Sequence, residues 1–236
     1  VLVNSYDELR NIIMYSSSTN KVRLGKDIVQ EDDQNGKEII IRNDTDIYLD
    51  LDGHKLSRCA NTTDTCIFYI MGGNLTINDS RGGGEIFCVI SDADVFKLDN
   101  AKAKLTVNRG TFTSAKGSAI FLVNGGTAII NGGTFRGYTY TTQVLNGKLT
   151  LNGGTFLAPY KSDVWAYSLY VTTNGGDFTI NGGTVKGTLM VVGDGTASSQ
   201  YIKNHLGSGV SVYVNDTKTT LNGTERELNG NIEFKK

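Results

Sequence analysis

Two places in this chain set carboxylates at a spacing that could act on a sugar linkage. Asp92 and Asp94 lie two residues apart, with Lys97, Asp99 and Arg81 nearby in sequence. Side chains two apart on a strand point to the same face. Cleaving a glycosidic bond needs such a pair, one group to give a proton and the other to attack or to activate water. A uronate lyase would instead need carboxylates for calcium and an Arg or Lys base. Asp50 and Asp52 form the second pair, and His54 completes an alternating trio of metal-ligating types. Neither pair recurs in the adjoining stretch of chain, and His205 is the only other histidine. A His beside an Asp-Gly corner has a simpler role as a hydrogen-bonding turn residue. The expectation is no catalytic residue, no metal and no cofactor.

Aromatic residues supply a different chemistry. Tyr138, Tyr140, Tyr160, Trp165, Tyr167 and Tyr170 gather around an insertion between Leu157 and Ser168. Rings with one polar edge pack over loops, and they also lie against sugar rings. These six are the candidate glycan-contacting residues.

The elements that must position them repeat along the chain. Leu105-Thr106-Val107-Asn108 precedes Arg109-Gly110-Thr111-Phe112, and Ala128-Ile129-Ile130-Asn131 precedes Gly132-Gly133-Thr134-Phe135. Leu149-Thr150-Leu151-Asn152 precedes Gly153-Gly154-Thr155-Phe156, and Phe178-Thr179-Ile180-Asn181 precedes Gly182-Gly183-Thr184-Val185. Leu75-Thr76-Ile77-Asn78 opens a degenerate copy. Short strands of period two, broken by Asn-Gly-Gly at steps of some twenty to thirty residues, describe units that stack to share one core. The expected fold is all-β, a single-stranded right-handed parallel β-helix. Asn and Gly are expected to supply positive φ at the corners, and the repeated Asn residues to stack along one corner and bond each other's backbone. The exposed Thr positions remain open to a ligand.

The ends differ from the middle. Ser5, with Glu8 three residues on, is a capping box before Leu9, Ile12 and Ile13 at helical spacing, so residues 1–20 read as a capping helix. Residues 21–192 read as the solenoid, and 193–236 as a small α/β cap or attachment segment. Its helix is expected over 198–206, its strands at 210–214 and 231–234, and its turns at Asn215-Asp216 and Asn229-Gly230. Twenty-nine Gly and one Pro suit many tight turns between strands that keep their amide donors. A net charge of −1 gives no basic stripe for nucleic acid, and no apolar run is long enough to span a bilayer. Cys59 and Cys66 could close a small loop with Cys88 left over, or all three are free thiols.

Several of these stretches carry a resemblance. Leu24-Gly25-Lys26-Asp27-Ile28, the run Ile47-Tyr48-Leu49-Asp50-Leu51-Asp52-Gly53-His54-Lys55-Leu56, the opening Tyr6 to Leu9 and the Asn-Gly-Gly-Thr-Phe copies resemble pectate-lyase-like right-handed β-helix modules. Such modules occur in gut-bacterial surface proteins and in the phages of those bacteria. The resemblance covers 3–192 and rests on turn and core residues, so it speaks to fold before function. It implies a structural or adhesive module without catalysis. Val1 reads as a residue exposed on removal of an initiator Met, and no export signal is present. The expectation is therefore a virion protein: a head decoration, fibre or tail-associated component, docked through 193–236 on shell or tail proteins. Host glycan or mucus is the expected ligand, and a homo-oligomer is possible. A bacterial cell-surface adhesin is the alternative, and a polysaccharide lyase or glycoside hydrolase the third reading.

Overall fold

The computed structural model describes residues 1–15, 19–31, 33–42, 45–59, 61–161, 166–193 and 195–236. Parallel strands stack in about six turns as a β-solenoid. Its first face is an eight-stranded sheet running from Leu2–Val3 and Asn20–Leu24 through Asp46–Asp50, Asn74–Asn78, Lys104–Val107, Thr127–Ile130 and Gly147–Leu151 to Gly176–Ile180. The second face begins at Ile28–Gln30 and the third at Ile39–Ile41. They merge at the far end because Gly183–Val192 pairs with the last strand of each. The register Val22, Leu49, Ile77, Val107, Ile130, Leu151, Ile180 gives turns of 27, 28, 30, 23, 21 and 29 residues. Insertions therefore sit in corners while the strands keep alignment.

Alternation decides what faces inward. Leu149 and Leu151 are buried and Thr150 is not, and every turn of the first face repeats this pattern. On the second face Ile28, Leu56, Ile86, Phe112, Phe135, Phe156 and Val185 form one buried column. Phe68 and Phe96 of the third face lead into it, and five rings run through the core at centroid separations of 5.6, 5.3, 5.1 and 4.9 Å. The strand spacing of about 4.8 Å holds them near ring-contact distance.

The Asn-Gly-Gly corner divides its work in a way the sequence reading did not anticipate. The asparagines are absent from the positive-φ residues; only the second glycine, as at Gly133 with φ +95°, takes that conformation. The first glycine gives room instead, since a Cβ at Gly132 would lie 2.5 Å from the Asn108 carbonyl of the turn below. The asparagine side chains bond one another, not the backbone. Nδ2 of Asn131, Asn152 and Asn181 donates to Oδ1 of Asn108, Asn131 and Asn152 at 2.9, 2.8 and 2.8 Å. Each amide offers one donor and one acceptor along the stack, so a parallel register satisfies them in series.

Both ends are closed. The helix Tyr6–Met14 is capped by Ser5, whose Oγ accepts Glu8 N at 3.2 Å, and Glu8 returns to Asn4 N at 2.7 Å. It buries Tyr6, Leu9 and Ile13 over the first turn. Leu2–Val3 already pairs with the first face, so residues 1–20 are more than a helix. Beneath the helix, fully buried Arg58 pairs with Asp64, which also accepts Gly36 N at 2.6 Å and Lys37 N at 3.0 Å. Burial works against the Asp64 charge, but these donors outweigh it and hold the carboxyl below its ordinary value. At the other end Ser198–Asn204 forms the expected helix, and Phe178 packs against Tyr201 and His205. Asn215 and Asp216 make the expected turn with φ of 49° and 64°. Asn229 and Gly230, expected as a turn, instead lie within Glu227–Lys235, which runs antiparallel to Gly183–Val192 from Gly183 to Met190. That strand covers the last edge of two faces.

Phe135 lies mid-stack with no room to collapse around, so Phe135→Ala should cost about 3–5 kcal/mol in chemical denaturation. Thr142 occupies an inward, fully buried position whose Oγ1 has no partner among the described residues. Thr142→Val should raise stability by about 1 kcal/mol; a lower melting temperature would show that the hydroxyl is needed.

Candidate functional site

The corner between the second and third faces gathers the chemistry that the sequence scattered. Asp94 opens the strand Asp94–Leu98 and is buried, accepting Ser118 N at 2.7 Å. Gly117 lets that turn close over it, because a Cβ there would lie 2.3 Å from Ala93 O. Burial pushes the Asp94 carboxyl up to about 7, against the lesser pull of the Ser118 amide and the Lys97 charge. Asp92 does not share its strand. It sits in the preceding turn at φ +55° and is exposed, so the expected same-face pair is absent. Both nevertheless line a groove of about 240 Å³ with Lys116, Ser118, Phe121 and Tyr140.

Tyrosines extend this groove along the third face. Tyr140 and Tyr167 are in register on successive turns with centroids 6.0 Å apart, and Tyr170 lies 5.3 and 5.4 Å from them. Tyr167 is buried, while Tyr140 and Tyr170 are half-buried, so one ring supports two that present a surface. Outward positions in register continue the stripe as Tyr69, Lys97, Phe121, Gln143, Tyr170 and Met190. Tyr69, Phe121, Gln143 and Met190 were not among the candidates read from the sequence. Phe121 was legible as the outward member of Ile120-Phe121-Leu122, where alternation calls for a polar residue.

The remaining candidates fall elsewhere. Tyr138 is 37% and Tyr160 46% exposed, and Tyr160 lies under the Arg136 guanidinium at 4.0 Å. No ring contact joins either to the triplet among the described residues, and Trp165 lies outside them. Asp99 accepts from Tyr69 and Asn124, and Lys97 stands 5.3 Å over the Tyr69 ring. Asp50 accepts Ser80 N and Oγ at 2.9 and 2.8 Å, while Asp52, at φ +48°, pairs with Arg81 at 3.3 Å. His54 turns away to Asp27 at 3.3 Å, so the alternating trio is not assembled. Among the described residues no three His, Cys, Asp or Glu side chains gather for a metal. Cys59, Cys66 and Cys88 are free, the first exposed and the others buried.

Asp94 holds its proton in the folded chain to about pH 7 but loses it near 3.8 when unfolded. The folded state therefore binds more protons between those values, and the stability owed to Asp94 declines as pH rises through that window. Asp94→Asn should remove this decline. Melting temperatures of the two proteins between pH 4 and 8 check it; parallel profiles would refute the burial argument.

No protein-family profile, curated protein or solved structure matches this chain.

Proposed function

We propose that this chain is a non-enzymatic structural and adhesive β-solenoid that meets glycan with its third face. The observation that carries this reading is the supported pair Tyr140 and Tyr170, continuous with a groove that holds Phe121, Ser118 and Asp94. Apolar rings beside a few convergent polar groups suit a sugar, which has an apolar face and a hydroxyl rim. The proposed setting is a phage particle, as a head decoration, fibre or tail-associated protein. It is supported by the resemblance of the Leu24–Leu56 stretch and the Asn-Gly-Gly-Thr-Phe copies to modules of that kind. Contact with shell or tail proteins is assigned to 193–236, whose hairpin Ser211–Val214 with Thr217–Thr219 lies outermost. A bacterial cell-surface adhesin would use the same third-face surface.

A second reading has one specific observation in its favour. Asp94, a carboxyl raised to about 7, lines an aromatic groove with exposed Asp92, an arrangement in which Asp94 gives a proton to the leaving glycosidic oxygen while Asp92 activates the water that attacks the sugar carbon. Polysaccharide incubated with the chain would then release reducing ends, and Asp94→Asn would stop it.

Glycan-array binding by the intact chain, compared with Tyr170→Ala, tests the adhesive reading. Binding without sugar release, weakened by about tenfold in the variant, is the expected result. Equal binding by both proteins, or none, would sink it. Locating the chain at a fixed position in a three-dimensional map of an intact particle would support the virion setting; finding it only on cell walls would favour the adhesin.

A further inference from the structure

The asparagine ladder on the first face stops at Asn108, and the place where it stops is a groove. Beyond Asn78 the corner is built on the Asp79 carboxylate, which accepts Gly53 N at 2.7 Å and Gly84 N at 2.8 Å, in place of a Gly-Gly pair. Asn78 and Asn108 are neighbours in the stack, yet no bond joins them. Among the described residues the Asn78 side chain and Asn108 Nδ2 have no partner. The groove there holds about 640 Å³, and its floor is formed by outward side chains of four successive turns.

The lining is rich in donors. Lys21 is exposed with no ion-pair partner among the described residues, and Arg23 uses only Nε, at 3.4 Å from Asp50. Its two Nη groups have no hydrogen-bond partner among the described residues. Asp50 has its oxygens engaged by Arg23, Ser80 and the Asp52 amide, so it offers little to a ligand. Tyr48 stands in register between Lys21 and Thr76, 45% exposed, and lines the groove. Two cations, the Asn78 amide, the Asn108 Nδ2 donor, a hydroxyl and one exposed ring ask for a ligand with negative charge, hydroxyl groups and a flat apolar side.

We propose that this groove binds an anionic sugar unit, a ring bearing a carboxylate or a sulfate. The charge lies between Lys21 and Arg23, the ring against Tyr48, and the hydroxyls on Asn78, Asn108 and Thr76. The site is on a different face from the tyrosine stripe and does not depend on the reading of that stripe.

Isothermal titration of the full chain with sialyllactose, sulfated lactose and plain lactose tests it. The expected result is that at least one charged sugar binds about tenfold or more tightly than plain lactose and weakens as salt is added. Sialyllactose or sulfated lactose alone would identify carboxylate or sulfate as the recognised group. Lys21→Glu and Tyr48→Ala, both at exposed positions and checked by melting temperature, should each reduce that binding about tenfold, whereas Tyr170→Ala leaves it unchanged. Equal binding of plain lactose, no binding by any of the three, or indifference to Lys21→Glu would overturn the proposal. Loss in Tyr170→Ala alone would move the site to the third face, leaving the adhesive reading standing without this one.

Discussion

Parallel strand spacing is the constraint on which the rest of this molecule depends. Backbone hydrogen bonds set successive turns about 4.8 Å apart, so each side chain meets its counterpart above and below at a fixed interval. A phenyl ring repeated at that interval becomes a continuous stack, and a carboxamide becomes a chain of hydrogen bonds. The same geometry punishes exceptions. Thr142, alone among the inward residues of its column between Ile120 and Leu169, brings a hydroxyl where neighbours offer no partner. Register, more than any single contact, is what these repeats conserve within the chain.

Departures from repetition mark where chemistry collects. The early corners, in turns longer than the 23- and 21-residue ones, hold the buried Arg58–Asp64 pair, the Asp79-centred turn and the buried Asp94. Burying a charge is tolerable only with several donors around it, and the loop amides of Gly36 and Lys37 supply them for Asp64. Asp94 has fewer such donors and keeps its proton instead. The two carboxyls thus show opposite outcomes, Asp64 held charged by the Arg58 guanidinium and the loop amides, Asp94 held neutral by its deeper burial.

Much of the fold was legible in the sequence because its signals are local. Alternation in Leu149-Thr150-Leu151 set inward from outward, and Ser5 with Glu8 marked the helix start. What escaped was whatever depends on the neighbouring turn. The positive-φ role assigned to Asn belongs to the glycine two residues on, since the Asn side chain had a partner some twenty residues away. Asn229-Gly230 has the composition of a turn, but pairing with Thr188 and Gly187 draws it into a strand. The tyrosine triplet was half visible: Tyr140, Tyr167 and Tyr170 were named as candidates, while Phe121 and Gln143 join them only through register. Asp92 and Asp94 misled because a positive-φ turn separates them, and spacing alone does not reveal it.

The strand Gly183–Val192 gives the stack a direction for its history. By running straight through what is a corner in every earlier turn, and by taking Glu227–Lys235 from Gly183 to Met190, it closes most of the last edge of the second and third faces to a further parallel unit. New units fit most readily internally, where the 23- and 21-residue turns around Asn131 are the shortest copies of the repeat. Gain or loss of one such copy would lengthen or shorten the rod by a single spacing while leaving both lids untouched. Relatives of this chain should therefore vary in length at its waist, keeping their ends constant.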